Sequence, residues 1–400
     1  MFADLPAPPS AAPPVWGQSL ADRIGQLFRK QRRVAWIYRS PDTSTFRYRV
    51  ANMVAALNSD EDSDVSASWF GDAELDGLHH LVGHLDAVVV VRYPYGPALS
   101  RFMARADAAG VPLIFDVDDL VFDPGMVPVV MEAIGEDVER FARWQTWYAL
   151  TGQLQATASR CRAALTTVPP LQERLATYFP DGVVEVVPNF LDRRQDSYSR
   201  ELLGAKQDGS AARTGPITIG YFSGSPTHAH DFAVAAPALG RLLRSDPDVR
   251  LRVVGSIDVV GDLTELSSRI DVVPFMDYLS LQRSIAEVEV NIAPLQHHAF
   301  TVCKSELKYF EAAAVGTWTV ASSTPAFAAA IDDGRTGRAV RAHEWDDALA
   351  EAVALARDPQ EYAARTAAAA ASAYEHYGWN AVAQRLGDAV TACCRRAGVG

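Results

Sequence analysis

Apolar residues run without alternation over 34–38 (VAWIY), 87–91 (AVVVV) and 111–115 (VPLIF), as in strands buried on both faces. Between them the pattern predicts helices over 48–57 and 97–109, and further apolar runs at 163–168 and 183–187 continue the series. From 192 to 216 the chain reads DRRQDSYSRELLGAKQDGSAARTGP, polar and short of core residues, which predicts a linker between domains. The rhythm then restarts. Strands are predicted at 217–222, 251–254, 270–273, 288–293 and 318–321, and helices at 232–243, 279–286, 305–315, 345–356 and 360–373. A break at Gly378 precedes a last helix over 379–394. Continuous strands spaced by helices make parallel sheets covered on both faces. The expected architecture is α/β, with two Rossmann-like, doubly wound domains at 33–191 and 217–378 facing across a cleft, and a terminal segment, 379–400, returning to the first domain. Residues 1–16, rich in proline and alanine without an apolar period, predict a disordered tail. Residues 17–32 predict a short amphipathic helix with Leu20, Ile24, Leu27 and Phe28 on one face. That helix is expected to pack on its own domain, and it leaves room for a peripheral membrane contact.

The 400 residues suit two or three domains. A net charge of −12, from 49 acidic and 37 basic residues, argues against a nucleic-acid partner, whose phosphates would be repelled. A hydrophobic content of 48% excludes bulk disorder. No apolar run reaches the roughly 18 residues of a membrane-spanning helix, and MFADLPAPPSAAPPVWG has no apolar signal core. Cys161, Cys303, Cys393 and Cys394 form no metal-type pattern and read as reduced thiols. The expected setting is cytoplasmic, at most peripheral to the inner face of a membrane.

Candidate chemistry gathers in three stretches. In 300–316, FTVCKSELKYFEAAAVG, a helix beginning near Ser305 puts Lys304, Lys308 and Glu311 on one face. Two cations and an acid there suit a phosphate and a ribose, although a solvated face with a Lys–Glu pair has the same spacing. In 219–232, IGYFSGSPTHAHDF, Gly224 and the small Ser223 and Ser225 let backbone amides approach a diphosphate to which His228 could donate. In 112–124, PLIFDVDDLVFDP, Asp116, Asp118 and Asp119 leave the end of a buried strand, where clustered carboxylates can do acid–base work or hold a metal. The 34–50 stretch lacks the glycine spacing of a dinucleotide fingerprint. It carries Arg47 and Arg49, candidates for contact with an acceptor or a phosphate.

The 300–316 stretch resembles the donor-binding helix of GT-B glycosyltransferases, particularly those of family 4 (group 1). In that pattern a glutamate, seven residues and a second glutamate precede Ala, a small residue, Ala, any residue and Gly, then a strand. Glu311-Ala312-Ala313-Ala314-Val315-Gly316 matches the second half, and the resemblance implies that Glu311 binds the nucleotide ribose. The first glutamate falls at 303, where this chain has Cys303; Lys304 is expected to take over part of its contact. The 219–232 stretch resembles the first strand and loop of the second GT-B domain, implying diphosphate contacts for Ser223, Gly224, Ser225 and His228. Ser and His stand where many relatives have Arg and Lys, so the positive charge is expected from Lys304 and Lys308. Residues 272–295 resemble the base-binding loop with its helix and strand, placing Phe275 and Met276 beside the base. Residues 331–337 resemble the turn before the last strand, and 166–180 with 184–192 the end of the first domain. The resemblance spans about residues 33–390.

Three readings of the acidic stretch follow. In GT-B relatives this strand ends in a His-Asp pair, so Asp118 replaces the His and Asp119 is kept. Asp-Val-Asp also imitates the metal-binding motif of GT-A enzymes, which have a single nucleotide-binding domain. Lastly, it resembles haloacid-dehalogenase-type phosphatases, with Asp116 as nucleophile and Asp118 as acid. The expectation is a metal-independent, cofactor-free GT-B glycosyltransferase of hexosyltransferase type. Its nucleotide-sugar donor would sit on the second domain and a glycan, lipid-linked or small-molecule acceptor on the first, with Asp118 and Asp119 at the reaction centre. The rivals are the phosphohydrolase and a non-catalytic sugar-nucleotide-binding module.

Overall fold

A computed structural model describes residues 1–9, 17–41, 44–61, 63–224, 228–255 and 261–396. The first domain is built on β1 (Arg32–Ile37), β2 (Val65–Phe70), β3 (Ala87–Val91), β4 (Leu113–Asp116), β5 (Ala163–Thr166) and β6 (Val183–Val186). They form one parallel sheet in the order β2-β1-β3-β4-β5-β6. The second sheet contains β7 (Ile217–Phe222), β8 (Val249–Val254), β9 (Ile270–Val273), β10 (Val290–Ala293), β11 (Trp318–Ser322) and β12 (Arg338–Val340). It is parallel too, in the order β12-β11-β10-β7-β8-β9. In each sheet the order reverses beside the first strand, between β1 and β3 and between β7 and β10. Such switch points open crevices at the carboxyl ends of the strands.

Strand β2 was not expected from the pattern. Its sequence VSASWF interleaves small polar residues with apolar ones, yet all six positions are buried. Ser66 is accommodated by donating to the Leu27 carbonyl. Two helices of the first domain, Val127–Ala133 and Phe141–Ala158, also lack a strong apolar period. The helix expected over 48–57 is broken into Ser44–Phe46, a π-helical turn at Arg47–Ala51 and a helix at Asn52–Ser59. A π turn widens the spacing to i→i+5 and is common at functional sites.

The expected polar linker holds a 15-residue helix, Arg193–Gln207. Asp192 caps it by accepting from the amides of Arg194 and Gln195. Tyr198, Leu202 and Ala205 form its buried stripe at i, i+4 and i+7. The polar surface hid a three-residue apolar seam.

The expected disordered tail needs a correction over its first nine residues; 10–16 lie outside the described residues. Phe2 and Leu5 are buried in the core of the second domain. The Phe2 amide donates to Glu287 O at 2.8 Å, and Tyr198 donates to Pro6 O at 2.7 Å. Two apolar residues and the backbone hydrogen bonds beside them hold a segment that has no apolar period of its own. The chain then reaches the first domain, where helix Leu20–Leu27 packs along β2 with Leu27 buried. Arg23 ion-pairs with Glu74 and lies over the Trp69 ring at 4.1 Å.

Helix Pro359–Tyr377 ends at Gly378, where a Cβ would stand 2.4 Å from the Tyr374 carbonyl oxygen. The next helix, Trp379–Arg396, lies on the first domain, burying Trp379, Val382, Leu386 and Val390 against Val34, Trp36 and Val54. All four cysteines are free and buried. Among the described residues no helix is long and apolar enough to cross a membrane.

A charged pair sits inside the first domain. Arg49 and Asp116 are both fully buried, joined by two hydrogen bonds of 2.9 and 2.8 Å, and Arg49 also donates to Val187 O at 2.7 Å. Breaking one partner strands the other charge. Asp116→Asn is expected to lower stability by about 3–5 kcal/mol in urea unfolding, the range for a broken buried pair; a loss under about 1 kcal/mol would contradict this account.

Candidate active site

The loops that follow β1, β3 and β4 face those that follow β7 and β10, so both switch points open on the same cleft. A cavity of about 160 Å³ lies there, lined by Tyr48, Asp118, Asp119 and Asn189 from the first domain and by His228, Leu295, Lys304, Ser305 and Lys308 from the second. The structure therefore brings five sequence-predicted residues together: Asp118, Asp119, His228, Lys304 and Lys308.

The wall formed by the second domain is cationic. The helix carrying Lys308 and Glu311 runs from Leu307 to Ala313, starting two residues later than expected. Lys304 lies before it, after the short helix Ala299–Val302, yet still reaches the cavity. Lys308 Nζ is buried with no hydrogen-bond partner among the described residues, 4.3 Å from the centre of the Tyr221 ring. Burial, reinforced by Lys304, lowers its pKa to about 8. An unsatisfied buried ammonium is costly, so an anion in this cavity removes a penalty as well as adding an attraction. His228 Nδ1 lies 3.1 Å from Asp231 Oδ2. Burial, together with the two lysines, moves the imidazole below its ordinary pKa despite Asp231. Burial pushes the Asp231 carboxyl the other way, but His228 and Lys304 outweigh it and hold it low.

The opposite wall is acidic and tied to a residue the sequence reading missed. Asp118 Oδ2 accepts from Thr45 Oγ1 at 2.8 Å, and its Oδ1 accepts from Arg92 Nη1 at 3.2 Å. The same Nη1 reaches Asp119 Oδ2 at 3.3 Å. Arg92 has φ +40°, a left-handed conformation that costs a non-glycine residue about 1–3 kcal/mol. The available signal was a single cation directly after an unbroken buried strand, in AVVVVR. Asp116, two residues earlier, is still in β4 and turns inward to Arg49. This corrects the expectation for Arg49, which meets neither acceptor nor phosphate because its guanidinium neutralises a core carboxylate. It also removes the nucleophile from the phosphatase reading.

Arg47 and Glu311 meet across the domain boundary. Glu311 is almost fully buried, and its Oε1 accepts from the Tyr48 hydroxyl, from Gln195 Nε2 at 3.1 Å and from Arg47 Nη2 at 3.5 Å. Arg47 is stacked between the rings of Tyr48 and Tyr278, 4.0 and 4.5 Å from their centres. Burial, with Glu311 adding to it against the pull of Arg47, raises the Tyr48 hydroxyl well above its ordinary pKa. The π turn brings Arg47 and Tyr48 to this carboxylate while Arg49, on the same turn, faces the core.

The remaining predicted residues lie apart from the cavity wall. Ser223 is buried at the end of β7, and its carbonyl lies so close to Gly255 that a Cβ there would come within 2.1 Å; Gly255 has φ +110°. Gly224 is exposed, and Ser225 lies outside the described residues. Phe275 is 69% exposed on the second domain, while Met276 packs on the core. Cys303 is buried among apolar side chains. A larger cavity of about 410 Å³, lined by Arg39, Asp72, Tyr93, Tyr95, Arg101 and Gln153 among others, lies wholly in the first domain and holds none of the predicted residues.

Residues 217–358 match the family model described as Glycosyl transferases group 1. A D-inositol 3-phosphate glycosyltransferase of Streptomyces griseus is 30% identical over 233 residues, which cover 54% of this chain and 45% of that protein. The chain thus spans about half the length of this curated relative. Crystal structures with the same fold include Anabaena HepE in complex with UDP and glucose, with a TM-score of 0.57 and 14% identity over 90% of this chain and 99% of that one. Another is the sucrose-phosphate synthase of Thermosynechococcus elongatus, with a TM-score of 0.57 and 15% identity over 90% and 98%. The two facing Rossmann-like domains are the GT-B fold.

The lowered pKa of Lys308 can be checked directly. The chain has four lysines, so an NMR titration of labelled lysine side chains gives few signals. The signal that disappears in Lys308→Met is expected to titrate near pH 8. In Lys304→Met its midpoint should move upward, because a neighbouring cation disfavours the charged amine. A midpoint above 10 in the unaltered protein would refute the buried, unpartnered ammonium.

Proposed function

We propose that this chain, whose residues 217–358 match the model of the group 1 glycosyl transferases, is a glycosyltransferase moving a sugar from a nucleotide-sugar donor to an acceptor hydroxyl. The observation that carries the reading is the cleft cavity, with two lysines and His228 on one wall and Asp118 and Asp119 on the other. That polarity matches the reaction. A diphosphate leaving group gathers negative charge as the glycosidic bond to phosphate breaks, and fixed cations in a desolvated site stabilise that charge. Lys304 and Lys308 supply it here, in place of a divalent ion. The attacking hydroxyl must lose a proton, and a carboxylate within hydrogen-bond reach can accept it. Asp118 lines the cavity with a fixed donor on each of its oxygens and is the candidate acceptor. Glu311 accepts from the two ribose hydroxyls, which replace donors that now occupy its Oε1, from Tyr48, Arg47 and Gln195. The structural neighbour in complex with UDP and glucose supports a nucleotide-linked hexose as donor, and the curated relative's name supports a polyol or glycan hydroxyl as acceptor.

Two substitutions test the halves of the site separately. Glu311→Ala is expected to weaken nucleoside diphosphate binding by about 1.5–3 kcal/mol in calorimetry, the range for a hydrogen bond to a charged group. Unchanged affinity would remove Glu311 from the nucleotide site. Asp118→Asn is expected to lower sugar-nucleotide turnover by about 10²-fold or more, the size of a lost general base, with nucleotide affinity nearly unchanged. Full turnover in that variant would take the proton-accepting role away from Asp118.

A further inference from the structure

We propose that Arg92 is a positioning residue for the reaction, holding the Asp118 carboxylate in its productive orientation; this rests on the glycosyltransferase reading of the cleft. One nitrogen, Nη1, touches Asp118, Asp119 and the Thr45 hydroxyl at 3.2, 3.3 and 3.4 Å. Without a cation between them, two adjacent carboxylates at the end of one strand repel each other. With Arg92 present, each oxygen of Asp118 has one fixed donor, Arg92 on Oδ1 and Thr45 on Oδ2. The carboxylate can then turn neither toward Asp119 nor into the core. One lone pair on each oxygen stays available to a hydroxyl in the cavity.

The backbone adds an independent observation. Among the described residues only Asp4 and Arg92 are non-glycine residues at positive φ. Strand β3 ends at Val91, and the Arg92 amide still donates to the Asp116 carbonyl at 2.8 Å. The left-handed turn comes directly after the last sheet position and sets the direction of the side chain. Arg92 therefore sits in a strained conformation that an ordinary surface ion pair at a strand end does not require. Strain retained beside a reactive group is a common way of fixing geometry. Among the described residues the side-chain partners of Arg92 all lie in the first domain, so its effect is assigned to the acceptor-side acid and not to the nucleotide.

Arg92→Gly suits the test because glycine adopts positive φ freely, so the fold is expected to survive. The assay is turnover of a UDP- or GDP-linked hexose that the unaltered protein consumes, with UDP or GDP affinity measured alongside. We expect kcat to fall by about 10²-fold, the cost of misplacing a catalytic group, with nucleotide affinity within about twofold. Added methylguanidinium should restore at least about fivefold of the lost kcat, because it can occupy the vacated site and supply the charged N–H donor to Asp118 and Asp119 again. Arg92→Lys should lie between the two, keeping the charge without the planar geometry. A purely structural ion pair would give a stability change without rescue of kcat. The proposal is overturned if kcat in Arg92→Gly stays within about threefold of the parent, if methylguanidinium restores nothing, or if nucleotide affinity falls together with kcat. Absence of sugar-nucleotide turnover in the unaltered protein would overturn the glycosyltransferase reading itself, and this role with it.

Discussion

The relation between the two domains turns on one carboxylate. Glu311 Oε1 takes donors from Arg47 and Tyr48 of the first domain and from Gln195 of the connecting helix, while Gln282 of its own domain donates to its carbonyl. A buried acid needs such partners, and those of the carboxylate come from the π turn of the first domain and from the connecting helix. The donors are themselves linked, Arg47 Nη1 donating to Gln195 Oε1 and Gln195 Nε2 to Gln282 Oε1, both at 3.1 Å. On the proposed reading, the ribose hydroxyls of a bound nucleotide would offer the carboxylate donors of their own. Domain contact and ligand binding would then draw on the same hydrogen-bonding capacity of one side chain.

The acidic stretch shows how sharply position decides fate. Asp116 and Asp118 are two residues apart, and an extended strand would point them the same way. The strand ends at Asp116, so one becomes a core ion and the other a cavity wall. The same division separates Arg47 from Arg49 on the π turn. In each pair the inward member stabilises the domain and the outward member meets the cleft.

Much of the architecture was legible because parallel strands buried on both faces leave unbroken apolar runs, as in AVVVV and ITIGYF. Strand β2 was hidden because serines occupy two of its buried positions, Ser66 paired to the Leu27 carbonyl and Ser68 with no hydrogen-bond partner among the described residues. The helix Arg193–Gln207 was hidden because a seam of three residues does not lift the polarity of a 15-residue segment. For the site, Lys304 and Lys308 were named from an expected common helix face, and both reach the cavity although Lys304 precedes the helix Leu307–Ala313. Arg92, Thr45 and Tyr48 could not be read from the sequence, since each acts through a partner distant in sequence. Arg49 misled for the same reason: nothing local says that its partner is 67 residues away.

The path of the chain has a consequence for dividing the protein. Phe2 and Leu5 fill the second domain, while Trp379 and the helix after it cover the first. The polypeptide thus changes domain three times, once after the segment holding Phe2 and Leu5 and before helix Leu20–Leu27, and again near 187–193 and 377–379. A single cut between 191 and 217 would give two fragments, each carrying the other's missing core piece. Mixed together, they could refold only by exchanging ends. For the same reason, swapping one domain for a homologue's by a single crossover in the middle of the gene would leave both cores with foreign plugs. Such an exchange keeps both cores intact only with three matched junctions.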